Sequence, residues 1–93
     1  MPRKTDKANV ENAEFKQALG QLIVELRRER GLSQEQLALT AEVDRTRMSQ
    51  IERGEANVSI DTLIKIADAL DLTLASLFVQ VEAAERLPHS SGG

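Results

Sequence analysis

Ninety-three residues, 41% hydrophobic and 29% charged, fit one globular domain and exclude both a two-domain chain and a compositionally disordered one. The chain has no cysteine, which excludes a disulfide framework and a thiolate metal site. It also has no apolar run long enough to cross a bilayer and no apolar signal region in MPRKTDKANV, so a cytoplasmic location is expected. The net charge of −3 speaks against a uniformly basic nucleic-acid binder, but it is unevenly spread: residues 27–53 carry six arginines against five acids, while residues 54–93 carry two basic side chains against six acids.

Residues 1–11 are polar and mixed in charge, and they read as a flexible N-terminal segment or as a basic arm (Arg3, Lys4, Lys7) diluted by Asp6 and Glu11. Asn12 is a candidate cap for the first helix, with Glu14 in its first turn. Phe15, Leu19, Leu22, Ile23 and Leu26 then recur on one helical face. Gly20 interrupts that helix at modest cost and suggests a close helix contact. The helix closes in RRERG, where basic side chains suit the negative end of the dipole and Gly31 suits a left-handed cap. Arg27, Arg28 and Arg30 read equally as a solvated face or as phosphate contacts.

Ser33 with Gln36 three residues later forms a capping box for a second helix, whose Leu37, Ala38 and Ala41 point inward. Val43 lies in a turn and Asp44 caps a third helix. Met48 and Ile51 face the core, leaving Arg45, Thr46, Ser49 and Gln50 outside, and Gly54 ends the helix. After the loop Glu55-Ala56-Asn57-Val58, Ser59 caps a fourth helix with the stripe Leu63, Ile66, Ala67 and Leu70. Asp71 ends it, and Thr73 starts a fifth helix with Leu74, Leu77, Phe78 and Val81 on its apolar side. Pro88 stops the helical pattern, and residues 83–93 read as a flexible tail. No alternating run or hairpin signal marks a strand.

The segments GLSQEQLA, DRTRMSQIERGE and SIDTLIKIADALDLTLASLF together resemble the Cro/C1-type (xenobiotic-response-element type) helix-turn-helix family over about residues 15–79. The DRT that opens the third helix resembles the small controller proteins of restriction–modification operons. The resemblance implies an all-α, compact five-helix bundle of the lambda-repressor-like type, with residues 12–82 forming the DNA-binding domain and its C-terminal dimerisation helix. It implies a sequence-specific transcriptional regulator. A chain too short for a separate effector domain is expected to bind palindromic operator DNA as a homodimer. Operator position is then expected to decide whether RNA polymerase is blocked or recruited, and autoregulation is expected.

Side-chain chemistry agrees with that implication. A major groove admits a helix whose N-terminal residues meet base edges. Arg45, Thr46 and Gln50 are the base-reading candidates: the arginine fork suits guanine, glutamine suits adenine, and threonine suits a polar edge or a thymine methyl. Arg47, Ser49 and Arg53 are better placed for phosphates, which position without specifying. The resemblance adds Gln34 as a phosphate contact and pairs Arg27 with Glu52 in an internal salt bridge. It also marks two departures. Glu42 stands where the tight turn usually carries Gly or Asn, which requires a left-handed glutamate. The loop after Gly54 lacks the basic residues that relatives often place there.

Catalysis has little support. His89 is the single histidine and lies in the tail, the carboxylates are scattered, and neither a phosphate loop nor a metal-ligand spacing is present, so no cofactor or metal is expected. The competing reading is an antitoxin or adaptor that uses the same fold to grip a protein partner. Leu72, Leu74, Leu77, Phe78 and Val81 are dimer-interface candidates, with an intramolecular core as the equal alternative.

Overall fold

A computed structural model of the chain describes residues 4–86, with side chains placed from residue 13 to residue 85. Five helices follow one another: α1 (Lys4–Glu29), α2 (Gln34–Ala41), α3 (Arg45–Glu52), α4 (Ile60–Ala69) and α5 (Leu74–Arg86). No strand occurs among the described residues.

The helix starts are set by side chains accepting from orphan backbone N–H groups. Ser33 Oγ accepts from Gln36 N at 3.0 Å while Gln36 Oε1 accepts from Ser33 N at 2.8 Å, a complete capping box. Asp44 accepts from Arg47 N at 3.2 Å, Ser59 from Thr62 N at 3.1 Å, and Thr73 from Ser76 N at 3.0 Å. The first helix differs from expectation, because its backbone is already helical at Lys4 rather than at Asn12. Residues 4–12 contain no glycine or proline. A helix nucleated by the packed stretch gains one hydrogen bond for each further residue it adds. At the other end α5 continues to Arg86, beyond residue 82, for the same reason. Residues 1–3 and the tail from residue 87, with Pro88 and His89, lie outside the described residues.

The first four helices end alike. A residue with positive φ (Gly31, Glu42, Gly54, Asp71) reverses the chain, and the next N–H reaches back into the last turn. The four bonds are Leu32 to Arg27 O (2.8 Å), Val43 to Ala38 O (2.9 Å), Glu55 to Gln50 O (2.9 Å) and Leu72 to Ala67 O (2.8 Å). Glu42 takes φ 59°, the left-handed glutamate expected from the tight turn. Asp71, which ends α4, is left-handed as well, at φ 63°.

The core gathers Leu19, Leu22, Ile23 and Leu26 of α1, Leu37, Ala38 and Ala41 of α2, Met48 and Ile51 of α3, and Leu63, Ile66, Ala67 and Leu70 of α4. Leu77 and Val81 of α5 complete it, and no charged or polar residue among those described is buried as a whole, backbone included. Each large aliphatic side chain removed from water contributes about 1.5–3 kcal/mol before chain entropy is counted. Phe15 and Phe78 tilt against each other with centroids 6.0 Å apart, joining α1 to α5. Gly20 lies where α1 meets the end of α3. A Cβ there would stand 2.5 Å from Glu52 O and 2.6 Å from Ile51 O. The close helix contact suggested by Gly20 is therefore a contact with backbone carbonyls, and it seats α3 against the scaffold.

Candidate nucleic-acid interface

α2 and α3 are joined by the short turn 42–44, and α3 presents its polar face outward. Gln34, Arg45, Thr46, Ser49 and Arg53 line one shallow recess. Arg45, Thr46, Arg47 and Arg53 are exposed, while Ser49 and Gln50 are half-buried. Of the seven residues expected at DNA, five share this recess. Gln50 lies further round α3, and Arg47 turns toward the following loop.

The recess is braced from behind. Arg27 Nε donates to Glu52 Oε2 at 2.7 Å and Nη2 donates to Oε1 at 3.1 Å, a forked ion pair between the last turn of α1 and the last turn of α3. Its side chains are only 12% and 4% exposed. Arg27 Nη1 also donates to Leu32 O at 3.2 Å. Gln34 Nε2 donates to Glu52 Oε1 at 2.9 Å, which brings the start of α2 into the same network. One carboxylate therefore ties three helices together, and the orientation of the Gln34 amide is set by it.

The remaining arginines divide by role. Arg30 is partly engaged within the chain, its Nε donating to Leu70 O at 2.8 Å and its Nη1 to Leu26 O at 3.1 Å, while 32% of its side chain stays exposed. It satisfies a carbonyl at the end of α4 and sits favourably at that helix's negative pole. Arg28 stays exposed. Arg47 Nη2 donates to Asn57 O at 2.8 Å, tethering the loop after Gly54 to α3. Arg53 forms a two-pronged pair with Glu55 at 3.1 Å on each prong and also donates to Ser49 Oγ. Hydrogen bonding to Glu55, then its charge, raises the Arg53 pKa above its ordinary value. The same hydrogen bonds hold the Glu55 carboxyl below the usual carboxylate range.

Sequence reasoning missed Arg30–Leu70, Arg47–Asn57 and Arg53–Glu55. The first two end on backbone carbonyls and left no pairing signal. The third had one, since Arg53 and Glu55 flank Gly54, whose φ of 76° folds the two side chains toward each other.

The dimer-interface candidates need correction at two positions. Leu77 and Val81 have no accessible surface within a single chain, so a partner has nothing left to cover there. They belong to the intramolecular core because they face α1 and α4. Leu72, Leu74 and Phe78 pack against the edge of that core and remain partly accessible. Val79, 64% exposed, extends the open side of α5 and was not anticipated.

A family model described as helix-turn-helix matches residues 23–77, more than half of the chain and spanning α2, the turn and α3. The chain belongs to the helix-turn-helix family. It is 41% identical over 70 residues to the control protein C.MunI of a Mycoplasma species, covering 74% of this chain and 95% of that protein. The solved restriction-modification controller protein C.AhdI of Aeromonas hydrophila is similar in fold, with a TM-score of 0.65 and 43% identity over 68% of this chain and 96% of that one. The controller protein C.Esp1396I, solved as a tetramer in complex with its natural 35 base-pair operator, matches with a TM-score of 0.70 and 30% identity over 76% of this chain and 93% of that one. These relatives are control or controller proteins, and the two solved ones share this chain's fold over 68% and 76% of its length.

Among the described residues, no helix is long and apolar enough to cross a membrane, and no group of three His, Cys, Asp or Glu side chains is arranged to hold a metal ion.

Proposed function

We propose that the chain is a cytoplasmic, non-enzymatic transcriptional regulator that binds a two-fold symmetric operator as a homodimer, in the manner of restriction–modification controllers. The observation that carries the reading is the polar face of α3, opening on Arg45 and Thr46, presented outward while Glu52 anchors the same helix from behind. A helix held rigidly with its first turn exposed is what insertion into a major groove requires. Similarity to C.Esp1396I, itself solved on operator DNA, supports the same reading.

In this scheme Arg45, Thr46 and Gln50 read base edges, while Gln34, Arg47, Ser49 and Arg53 meet phosphates. Two copies pair through the accessible part of α5 and the turn before it, with Leu72, Leu74 and Phe78 at the contact, so that two α3 helices read half-sites about one helical turn apart. Site position then decides between blocking RNA polymerase and recruiting it, and the regulator's own promoter is one target.

Selection of bound duplexes from a random pool tests this, with affinity for the winner followed against salt. A two-fold symmetric consensus with a steep salt slope is the expected result. No enrichment by folded protein at low salt would overturn the reading in favour of an antitoxin or adaptor that binds a protein through this fold.

A further inference from the structure

Arg53 occupies the C-terminal end of the α3 face that carries Thr46 and Ser49, and it lines the recess with them. Yet each of its three guanidinium nitrogens already has a partner inside the chain. Nε donates to Glu55 Oε2 at 3.1 Å, Nη2 donates to Glu55 Oε1 at 3.1 Å, and Nη1 donates to Ser49 Oγ. Packing does not impose this arrangement, because the two side chains are 55% and 57% exposed. The backbone does: positive φ at Gly54 turns the chain so that residues on either side of it meet.

We propose that Glu55 is a built-in competitor for phosphate at Arg53, occupying the guanidinium in the free protein and exchanged for a phosphate oxygen when α3 seats on DNA. The proposal rests on the DNA-binding reading above and deepens it. Carboxylate and phosphate present the same kind of acceptor pair to an arginine fork, so one replaces the other without rearranging Arg53. An exposed ion pair is weak enough to exchange. It is also neutral as a unit, so an approaching phosphate gains nothing from Arg53 until the exchange occurs. Afterwards the freed carboxylate faces a polyanion and recruits a cation from solution. That uptake offsets part of the cation release which drives binding, leaving a shallower dependence on salt.

The surroundings sharpen the effect. The loop Glu55-Ala56-Asn57-Val58 has no basic residue to substitute for Arg53. The carboxyl of Glu55, held below the usual range, is charged at neutral pH. Glu55 therefore sets how tightly the protein holds DNA of any sequence, while base contacts elsewhere on α3 set which sequence it prefers.

The test measures binding of the full chain to two labelled duplexes, one selected from the random pool and one of scrambled sequence, across a salt series. Glu55→Gln is expected to bind both duplexes several-fold more tightly and to steepen the salt slope by up to about 0.9 per protomer. In an Arg53→Ala background the same substitution is expected to give a much smaller gain, the residual effect of removing one carboxylate near the duplex. Unchanged affinity and slope would overturn the proposal. Weaker binding would also overturn it, since Glu55 would then be orienting Arg53 toward DNA. A gain of the same size without Arg53 would reduce the effect to general charge and overturn it as well. If folded wild-type protein binds no duplex at all, the DNA-binding reading falls and takes this proposal with it. Wild-type binding with no effect of Glu55→Gln removes the competitor alone.

Discussion

Arg27 and Glu52, 25 residues apart, meet as two parallel forks, with Nε to Oε2 at 2.7 Å and Nη2 to Oε1 at 3.1 Å. Gln34 adds a third donor to the same carboxylate at 2.9 Å. Gln34 also lines the recess, so the pair links that recess to α1 and holds the orientation of α3.

Removing one partner strands the other. Glu52→Gln leaves Arg27 without its counter-charge in a site where the arginine is only 12% exposed. The expected loss is about 3 kcal/mol, at the low end for a buried pair because Arg27 keeps its bond to Leu32 O. Arg27→Met alone should cost a similar amount, and Arg27→Met with Glu52→Leu less than the two added together. Denaturant unfolding of the four proteins gives the coupling. Strict additivity would mean that the pair does not act as a unit.

Gly20→Ala pits two effects of opposite sign against each other. Alanine favours a helix interior over glycine by about 0.5–1 kcal/mol. Against that, its Cβ would stand 2.5 Å and 2.6 Å from the carbonyl oxygens of Glu52 and Ile51. These are backbone atoms and cannot rotate away, so α1 and α3 must separate. Overpacking of this kind costs about 1–3 kcal/mol and outweighs the propensity gain. A lower thermal midpoint with weaker DNA binding is expected. An unchanged or raised midpoint would show that the α1–α3 contact gives way easily.

Two helix ends are closed by left-handed residues that carry a side chain, Glu42 at φ 59° and Asp71 at φ 63°. Glu42→Gly should stabilise the protein by on the order of 1 kcal/mol, because glycine relieves the Cβ–carbonyl crowding. Asp71→Gly should gain less, since aspartate tolerates this region better than glutamate does. Both are read by thermal or urea unfolding. A destabilised Glu42→Gly would mean that the glutamate side chain holds the turn through a contact that outweighs the strain.

Most of the fold was legible because its determinants are local. Ser33, Asp44 and Ser59 start helices through bonds reaching three residues ahead, and the Leu63–Ile66–Ala67–Leu70 stripe declares its buried face by spacing alone. The start of α1 was not legible, because Asn12 offers a plausible cap while nothing in residues 4–12 forbids helix. The polar face of α3 was legible as a set, since Met48 and Ile51 fix which side turns inward. The partners of its arginines were not. Arg47 ends on a loop carbonyl and Arg30 on the last turn of α4, and a carbonyl is offered by every residue. The split of α5 into the buried Leu77 and Val81 and the partly accessible Leu74 and Phe78 depends on how the helix rolls against α1 and α4. Apolar spacing alone does not settle that roll.

Arg45→Ala separates base reading from phosphate contact. Arg45 is the first residue of α3, exposed, and shares its recess with Gln34, Thr46 and Ser49. Its removal leaves the core and the Asp44 cap in place, so stability should change by less than about 0.5 kcal/mol. If its fork reads a guanine, binding to the selected operator should weaken by about 1–3 kcal/mol per half-site. The penalty for changing that one base pair should vanish in the variant, while other positions keep theirs. Titration against a panel of single-base operator variants measures this directly. Should Arg45→Ala instead weaken every duplex equally and lower the salt slope by about one, Arg45 is a phosphate contact. The base-reading role then passes to Thr46 and Gln50.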